Sequence, residues 1–330
     1  MKKLLAVALL IGLAAFTAGC TNSASGEKDE KLEKLTLDYA YYSPTSLVLR
    51  EFEWAEEEFE KEGIEVEFVL SQGSNKALEF LNSSSVDISS SAGAAALLAK
   101  GNGAPIESVY IYSKPEWTAL VSEQGSDIKS VSDLKGKKVA ATLGTDPYIF
   151  LLRALNEEGL SESDVEIVNL QHSDGASALS NGQVDAWAGL DPHMASVELS
   201  TDAELFYRNP DFNTYGVLNV RPDFAEKHPE QVKKVIELYE KARTWINENP
   251  DEAAELLAEE AGIDLEVAQK QLERTDYSNA LPGNEHVEAL QAAGDILQEG
   301  ELIDQNADVD KLVDELINPE YAEQVIGKQE

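Results

Sequence analysis

The sequence predicts an α/β fold made of two similar lobes with a ligand cleft between them. Three observations predict it. The stretch KKVAATLGTDPYIFLLR, Lys137 to Arg153, reads as a strand, a polar turn and a helix opened by Pro147. Proline suits the first helical position and aspartate the cap before it. The earlier stretch TLDYAYYSPTSLVLR, Thr36 to Arg50, has the same plan. Ser43-Pro44, Leu49 and Arg50 line up with Asp146-Pro147, Leu152 and Arg153 at one constant offset of 103 residues. A third landmark also matches, because Leu81 precedes Val86-Asp87 at the spacing that separates Leu179 from Val184-Asp185. Matched landmarks in one order imply a repeated α/β topology.

Taken in order, residues 35–42 form a strand and 46–61 a helix closed by Gly63. Residues 64–70 alternate as a strand, and a turn at 71–74 leads into a helix ending at Leu81. A third strand starts at Val86 and an alanine-rich helix runs to Lys100. Strand 107–113 is broken at Lys114-Pro115-Glu116 and resumes over 117–122. The plan then repeats: a short helical lead-in at 130–136, the strand and helix described above closed by Gly159, a strand at 165–170, a turn at 172–175 with a short helix, and a strand at 184–187. After a returning strand at 215–220 the chain turns helical. Residues 229–249 put Val232, Val235, Ile236, Tyr239, Ala242 and Ile246 on one face. Pro250, Ile263-Asp264 and Pro282 punctuate three further helical pieces, expected to pack on the first lobe.

The chain has 330 residues and a formal net charge of -36, from 62 acidic and 26 basic residues. Nucleic acid is excluded as a partner, since phosphates need cations. The charge is spread along the chain and reads as solvated faces. At the start, Met1-Lys2-Lys3 is basic, residues 4–16 are an apolar run of 13, and Thr17-Ala18-Gly19-Cys20 follows. The run is short for a membrane span and suits a secretory signal over 1–19. Small residues before a cysteine resemble a bacterial lipobox, which makes Cys20 the lipidated first residue of the mature chain. It is the only cysteine, so the mature body is expected to carry no disulfide and no cysteine-based metal site. Residues 20–34 are polar, then charged, and read as a flexible tether.

No phosphate-cradling G-x-x-x-x-G-K-[ST] or G-x-G-x-x-G occurs, and no G-x-S-x-G. The four histidines show no metal spacing. No cofactor, metal or catalytic residue is expected. In open α/β sheets, ligands bind outside the carboxyl ends of the strands. Five loops there open helices: 42–46, 71–74, 91–93, 144–147 and 189–193. Free N–H groups and the helix dipole favour an anion at such places. The candidate ligand residues are Tyr42, Ser43, Ser46, Gln72, Gly73, Ser91, Ala92, Gly93, Thr145, Asp146 and Asp191. Asp146 and Asp191, each followed by proline, read first as helix caps and second as partners for an amine. Trp117 and Trp187 read as core residues or as stacking surfaces. Arg50 and Arg153 are expected at the surface. Hinges are expected near 113–116 and 209–215.

SVSDLKGKKVA followed by GTDPYIFLLRAL, with SVDISSSAGAAALLAKGNGAPI, SKPEWTALV, GQVDAWAGLDPH and RPDFAEKHPEQVKKV, resembles the solute-binding components of ABC importers for nitrate, aliphatic sulfonates and taurine. The likeness runs from about residue 35 to 303. It implies a two-lobed periplasmic-binding-protein fold, type II-like, with the ligand cleft between lobes and a helical C-terminal extension. Lobe 1 would be 35–114 plus 215–330, and lobe 2 would be 115–214. The implied protein is a monomer outside the cytoplasm, anchored to the membrane by lipid, that hands its ligand to an ABC permease and its ATPase. Relatives with a sulfonate ligand often carry a second tryptophan before the Asp-Pro; Leu190 holds that place here. The expected ligand is a small sulfonate or amino-sulfonate, with nitrate or a thiamine-pyrimidine precursor as alternatives. Two readings of another class are a thiamine-precursor enzyme of related fold and an extracellular sensor domain. The lipobox and the single cysteine count against the enzyme, which would work inside the cell with cysteine and histidine clusters.

Overall fold

Residues 31–278 and 280–327 are described by a computed structural model. The signal segment, Cys20 and most of the tether lie outside the described residues. The chain from Leu32 onward packs as one unit. Its strands are β1 (Lys34–Tyr39), β2 (Glu65–Leu70), β3 (Ile88–Ala92), β4 (Glu107–Pro115), β5 (Leu120–Ser122), β6 (Lys138–Ala141), β7 (Glu166–Asn169), β8 (Ala186–Ala188), β9 (Glu204–Tyr207), β10 (Gly216–Val220) and β11 (Thr275–Asp276). They form two sheets, one in each lobe, ordered β11-β4-β10-β3-β1-β2 and β7-β6-β8-β5-β9. Apart from β11, the two orders are the same. Each reads second, first and third strand of a repeat, then a strand delivered by a crossing chain, then the fourth. The delivered strand runs antiparallel to its neighbours in both, β10 between β3 and β4 and β5 between β8 and β9. The repeat read from spacing is thus a repeat of topology.

Helices in the repeats are α1 (Pro44–Glu51), α2 (Trp54–Glu60), α3 (Ser74–Asn82), α4 (Gly93–Gly101), α5 (Asp146–Glu157), α6 (His172–Ser180) and α7 (His193–Thr201). The tail adds α8 (Pro222–Lys227), α9 (Pro229–Glu248), α10 (Pro250–Ala261), α11 (Leu265–Glu273), α12 (Asn284–Glu299), α13 (Val309–Leu316) and α14 (Glu320–Ile326). Prolines open α1, α5, α8, α9 and α10, where a missing N–H costs nothing. The inner strand β3 is buried along its whole length, while the parallel edge strands β2 and β7 are only partly covered.

Several expectations are corrected. The helix over 46–61 is two helices. The chain breaks at Phe52 and Glu53, whose φ is +52°, and Phe52 stacks on Trp54 with ring centroids 5.2 Å apart and meets Trp245 edge-on at 5.0 Å. The strand over 117–122 begins only at Leu120, because Trp117 lies in the crossing between the sheets. The tether ends sooner than residue 34, since Lys34 already pairs with Glu65 in β1. The tail does not rest on the first lobe alone. Helix α12 packs on α4 and also on α5, and α11 packs on α7. Two further short helices, α13 and α14, follow the three pieces that were expected. Among the described residues no helix is long and apolar enough to cross a membrane.

Candidate functional site

The loops after β1, β2, β7 and β8 converge on a cavity of about 200 Å³. From the first lobe come Tyr41 and Tyr42, then Leu70, Ser71 and Gln72. From the second come Gln171, His172 and Ser173, then Leu190, Asp191, Pro192 and His193. Both halves of the repeat therefore present equivalent strand ends to one space.

Helices α3 and α6 begin beside the cavity, one from each lobe, and neither has a side-chain cap. Their first N–H groups and dipoles favour an anion, each terminus by roughly 0.3–1 kcal/mol. Among the described residues no lysine or arginine lines the cavity. Burial holds His172 at a pKa of about 3 and pushes His193 below its ordinary value, so both rings are neutral near pH 7. The cavity offers two uncapped helix starts and neutral rings, with no lysine or arginine in its lining.

Asp191 brings the one carboxylate. It is buried, and its peptide bond to Pro192 is cis. Oδ1 accepts the N–H of Ala195 at 2.9 Å, inside the first turn of α7. Arg274, at the end of α11, reaches both carboxylate oxygens at 3.4 Å and also pairs with Glu198. Lys270 adds a second cation to Glu198 at 3.1 Å. Burial pushes Asp191 up to about 6, and Arg274 opposes that rise. Asp191 is thus already matched, by a helix start and by an arginine 83 positions on that the sequence did not flag.

Of the expected ligand residues, Tyr42, Gln72 and Asp191 line the cavity, and Gly73 borders it. A Cβ built on Gly73 would lie 3.0 Å from His172 Nε2. The others are placed elsewhere. Ser46 Oγ donates to the Ser43 carbonyl at 2.6 Å and accepts the Ala40 N–H at 3.1 Å, which closes the turn before α1. Ser43 Oγ pairs with Thr45 Oγ1 at 3.3 Å. Ser91 Oγ donates to the Ala92 carbonyl and accepts from Asn219 Nδ2. The first N–H groups of α4 are taken by the crossing chain, Gly93 N–H by the Tyr215 carbonyl and Ala94 N–H by Thr214 Oγ1, while the Ala92 N–H goes to Ser74 Oγ. Thr145 Oγ1 donates to the Thr142 carbonyl at 2.7 Å.

Asp146 is neither the cap nor a cavity group. Thr145 holds the cap position and Asp146 is the first helical residue. Its Oδ2 accepts the indole N–H of Trp117 at 2.8 Å and the Thr214 N–H at 3.0 Å, and Oδ1 accepts Thr214 Oγ1 at 2.7 Å. Trp117 and Thr214 sit in the two crossings, which bond to each other where Thr118 N–H meets Asn213 Oδ1 at 2.8 Å. Arg153, expected at the surface, is buried over the Phe212 ring at 4.0 Å and donates to the Phe212 carbonyl. Arg50 is half-buried, paired with Glu260 and lying over Tyr39. Trp187 is wholly buried in the second lobe's core, with no face toward the cavity.

The turn expected at 172–175 is not among the five ligand loops named from the sequence, and Gln171, His172 and Ser173 line the cavity. Its position after β7, equivalent to 71–72 after β2, was the signal available in the repeat.

The "NMT1/THI5 like" family profile matches residues 57–253. A Bacillus subtilis (strain 168) protein named for aliphatic sulfonate binding is 31% identical over 318 residues, 95% of each chain. The crystal structure of the periplasmic aliphatic sulphonate binding protein SsuA from Escherichia coli superposes with a TM-score of 0.74 at 26% identity, over 88% of this chain and 93% of that one. The alkanesulfonate-binding protein SsuA from Xanthomonas axonopodis pv. citri gives 0.79 at 23% identity, over 87% and 98%, and shares the fold. The chain belongs to the NMT1/THI5-like family and has the two-lobed periplasmic-binding-protein fold.

Proposed function

We propose that this protein captures a small organosulfonate outside the cytoplasm and delivers it to an ABC permease and its ATPase. The observation that carries this is the cavity itself. It is lined from both lobes, faces two uncapped helix starts, and holds no free cation. A sulfonate is a monoanion with three weak acceptor oxygens, and neutral N–H and O–H donors at helix starts suit it. A phosphate dianion would bring a second negative charge, beside Asp191, that no fixed cation in the lining offsets. The near full-length relative named for aliphatic sulfonate binding supports the same class.

Capture works by closure. Residues 35–114 with 215–330 and residues 115–214 move as two bodies about the crossings, and the ligand favours the closed form by touching both. Cys20 carries the lipid, and residues 20–33 are the tether. The body acts as a monomer and as a binder, not an enzyme. Titration calorimetry with ethanesulfonate, nitrate and phosphate, paired with small-angle scattering, tests the reading. Micromolar or tighter sulfonate binding with compaction is expected. Nitrate or phosphate binding without sulfonate binding would overturn it.

A further inference from the structure

His172 carries a hydrogen-bond requirement that its surroundings leave open. It opens α6, is 2% exposed and lines the cavity. Its Nδ1 lies 3.2 Å from Thr142 Oγ1. The single hydroxyl proton of Thr142 is committed to the Leu170 carbonyl at 2.7 Å. Toward the ring, Thr142 is therefore an acceptor, and Nδ1 must carry the proton. Nε2 is left as a bare lone pair, buried and without a partner. The neighbouring Gln171 Oε1 is likewise buried and unpaired. A glutamine can rotate its amide to present either end, but His172 cannot, because Thr142 fixes its tautomer.

An acceptor at this point does not suit a sulfonate oxygen, which would face it lone pair to lone pair. It suits a donor. We propose that His172 is a specificity-determining residue, and that the ligand is a short sulfonate bearing an O–H or N–H donor, its anionic end at the uncapped helix starts and its donor on His172 Nε2. The donor class deepens the sulfonate reading above and rests on it. Hydroxy- and amino-alkanesulfonates are selected over plain alkanesulfonates because only they satisfy the buried lone pair.

The test compares ethanesulfonate, 2-hydroxyethanesulfonate and 2-aminoethanesulfonate by titration calorimetry on the full chain and on His172→Phe. The wild type is expected to bind at least one donor-bearing ligand roughly ten- to a hundredfold more tightly than ethanesulfonate. In His172→Phe the three affinities are expected to fall within about threefold of each other. Nitrogen-15 imidazole spectra of the wild type give a readout that does not depend on the variant folding. The Nε2 resonance should keep its unprotonated character and move upfield when the donor-bearing ligand binds. Equal wild-type affinities for all three would overturn the inference and leave the sulfonate reading standing. Ethanesulfonate binding coupled to protonation of Nε2 would overturn it as well. Binding of none of the three would remove the sulfonate reading and the inference together.

Discussion

The indole N–H of Trp117 donates to the carboxylate of Asp146 at 2.8 Å, and this bond ties one crossing between the lobes to the start of α5. Thr214, in the other crossing, supplies two more donors to the same carboxylate. All are N–H or O–H groups directed at an acceptor. Asn at position 146 would turn an NH₂ toward at least one of them. Asp146→Asn is expected to lower stability by about 1–3 kcal/mol in urea unfolding at pH 7. Ligand affinity measured on the folded fraction should change far less. A variant of full stability that had lost the ligand would return Asp146 to the binding site.

Trp187 lies against Gly175 closely enough that a Cβ there would sit 2.6 Å from Nε1 and 2.8 Å from Cδ1. The indole is boxed in by the second lobe's core and cannot step aside. Gly175→Ala is expected to destabilise the protein by about 1–3 kcal/mol despite the better helix propensity of alanine. Thermal unfolding followed by tryptophan fluorescence would show it, and an unchanged or raised Tm would mean that the ring can move.

Arg274 and Asp191 form a mostly buried ion pair between α11 and the start of α7. Arg274→Gln leaves the carboxylate without its cation, a loss of about 3 kcal/mol at neutral pH. The pH dependence has a definite sign. The folded-state pKa of Asp191 is already raised, to about 6, so the folded protein holds a proton there more readily than the unfolded chain. Below pH 6 the carboxyl is neutral and needs no partner. The difference between wild type and variant should therefore be largest above pH 7 and shrink toward pH 5. A difference that grew on acidification would contradict this account of the pair.

Because Asp191 is matched within the protein, Asp191→Asn should change the affinities of ethanesulfonate and 2-aminoethanesulfonate by the same factor. A selective loss of the amine ligand would show that Arg274 releases Asp191 on binding.

Cys20 is the site of the proposed anchor. Intact mass of the membrane-extracted protein should fit a chain beginning at Cys20 with diacylglycerol attached, and Cys20→Ala should move the protein out of the detergent phase. A wild-type chain that partitions with the aqueous phase would end the anchoring reading.

The repeat was legible because its landmarks are local: a proline at a helix start, an Asp directly before a strand, a glycine after a helix. The strand order shared by the two sheets emerged only with the structure. The roles of individual site residues were much less legible. Asp146 looked like a cap because sequence shows only its neighbours, and its partners stand 29 and 68 positions away. Arg274 lies in an acidic tail, where one arginine carries no signal until α11 is packed on α7. Ser91, Gly93 and Thr145 sit at carboxyl ends of strands as expected, yet the crossing chain and the turns consume their polar groups. His172 was counted among histidines without metal spacing, and only the hydroxyl of Thr142 gives its ring an orientation.

The delivered strands set a timetable for folding. β10 fills the gap between β3 and β4, but it is made about a hundred residues after β4 ends. Until then, a chain emerging from the ribosome holds two strands whose shared partner does not yet exist. The loop that must close is long, and its entropy is repaid only at the end. The first lobe therefore gains its final form only after the whole of the second has been made. By the same logic the two sheets differ in independence: residues 115–214 hold every strand of the second, β5 to β9, whereas a chain cut after β4 lacks the antiparallel strand of the first.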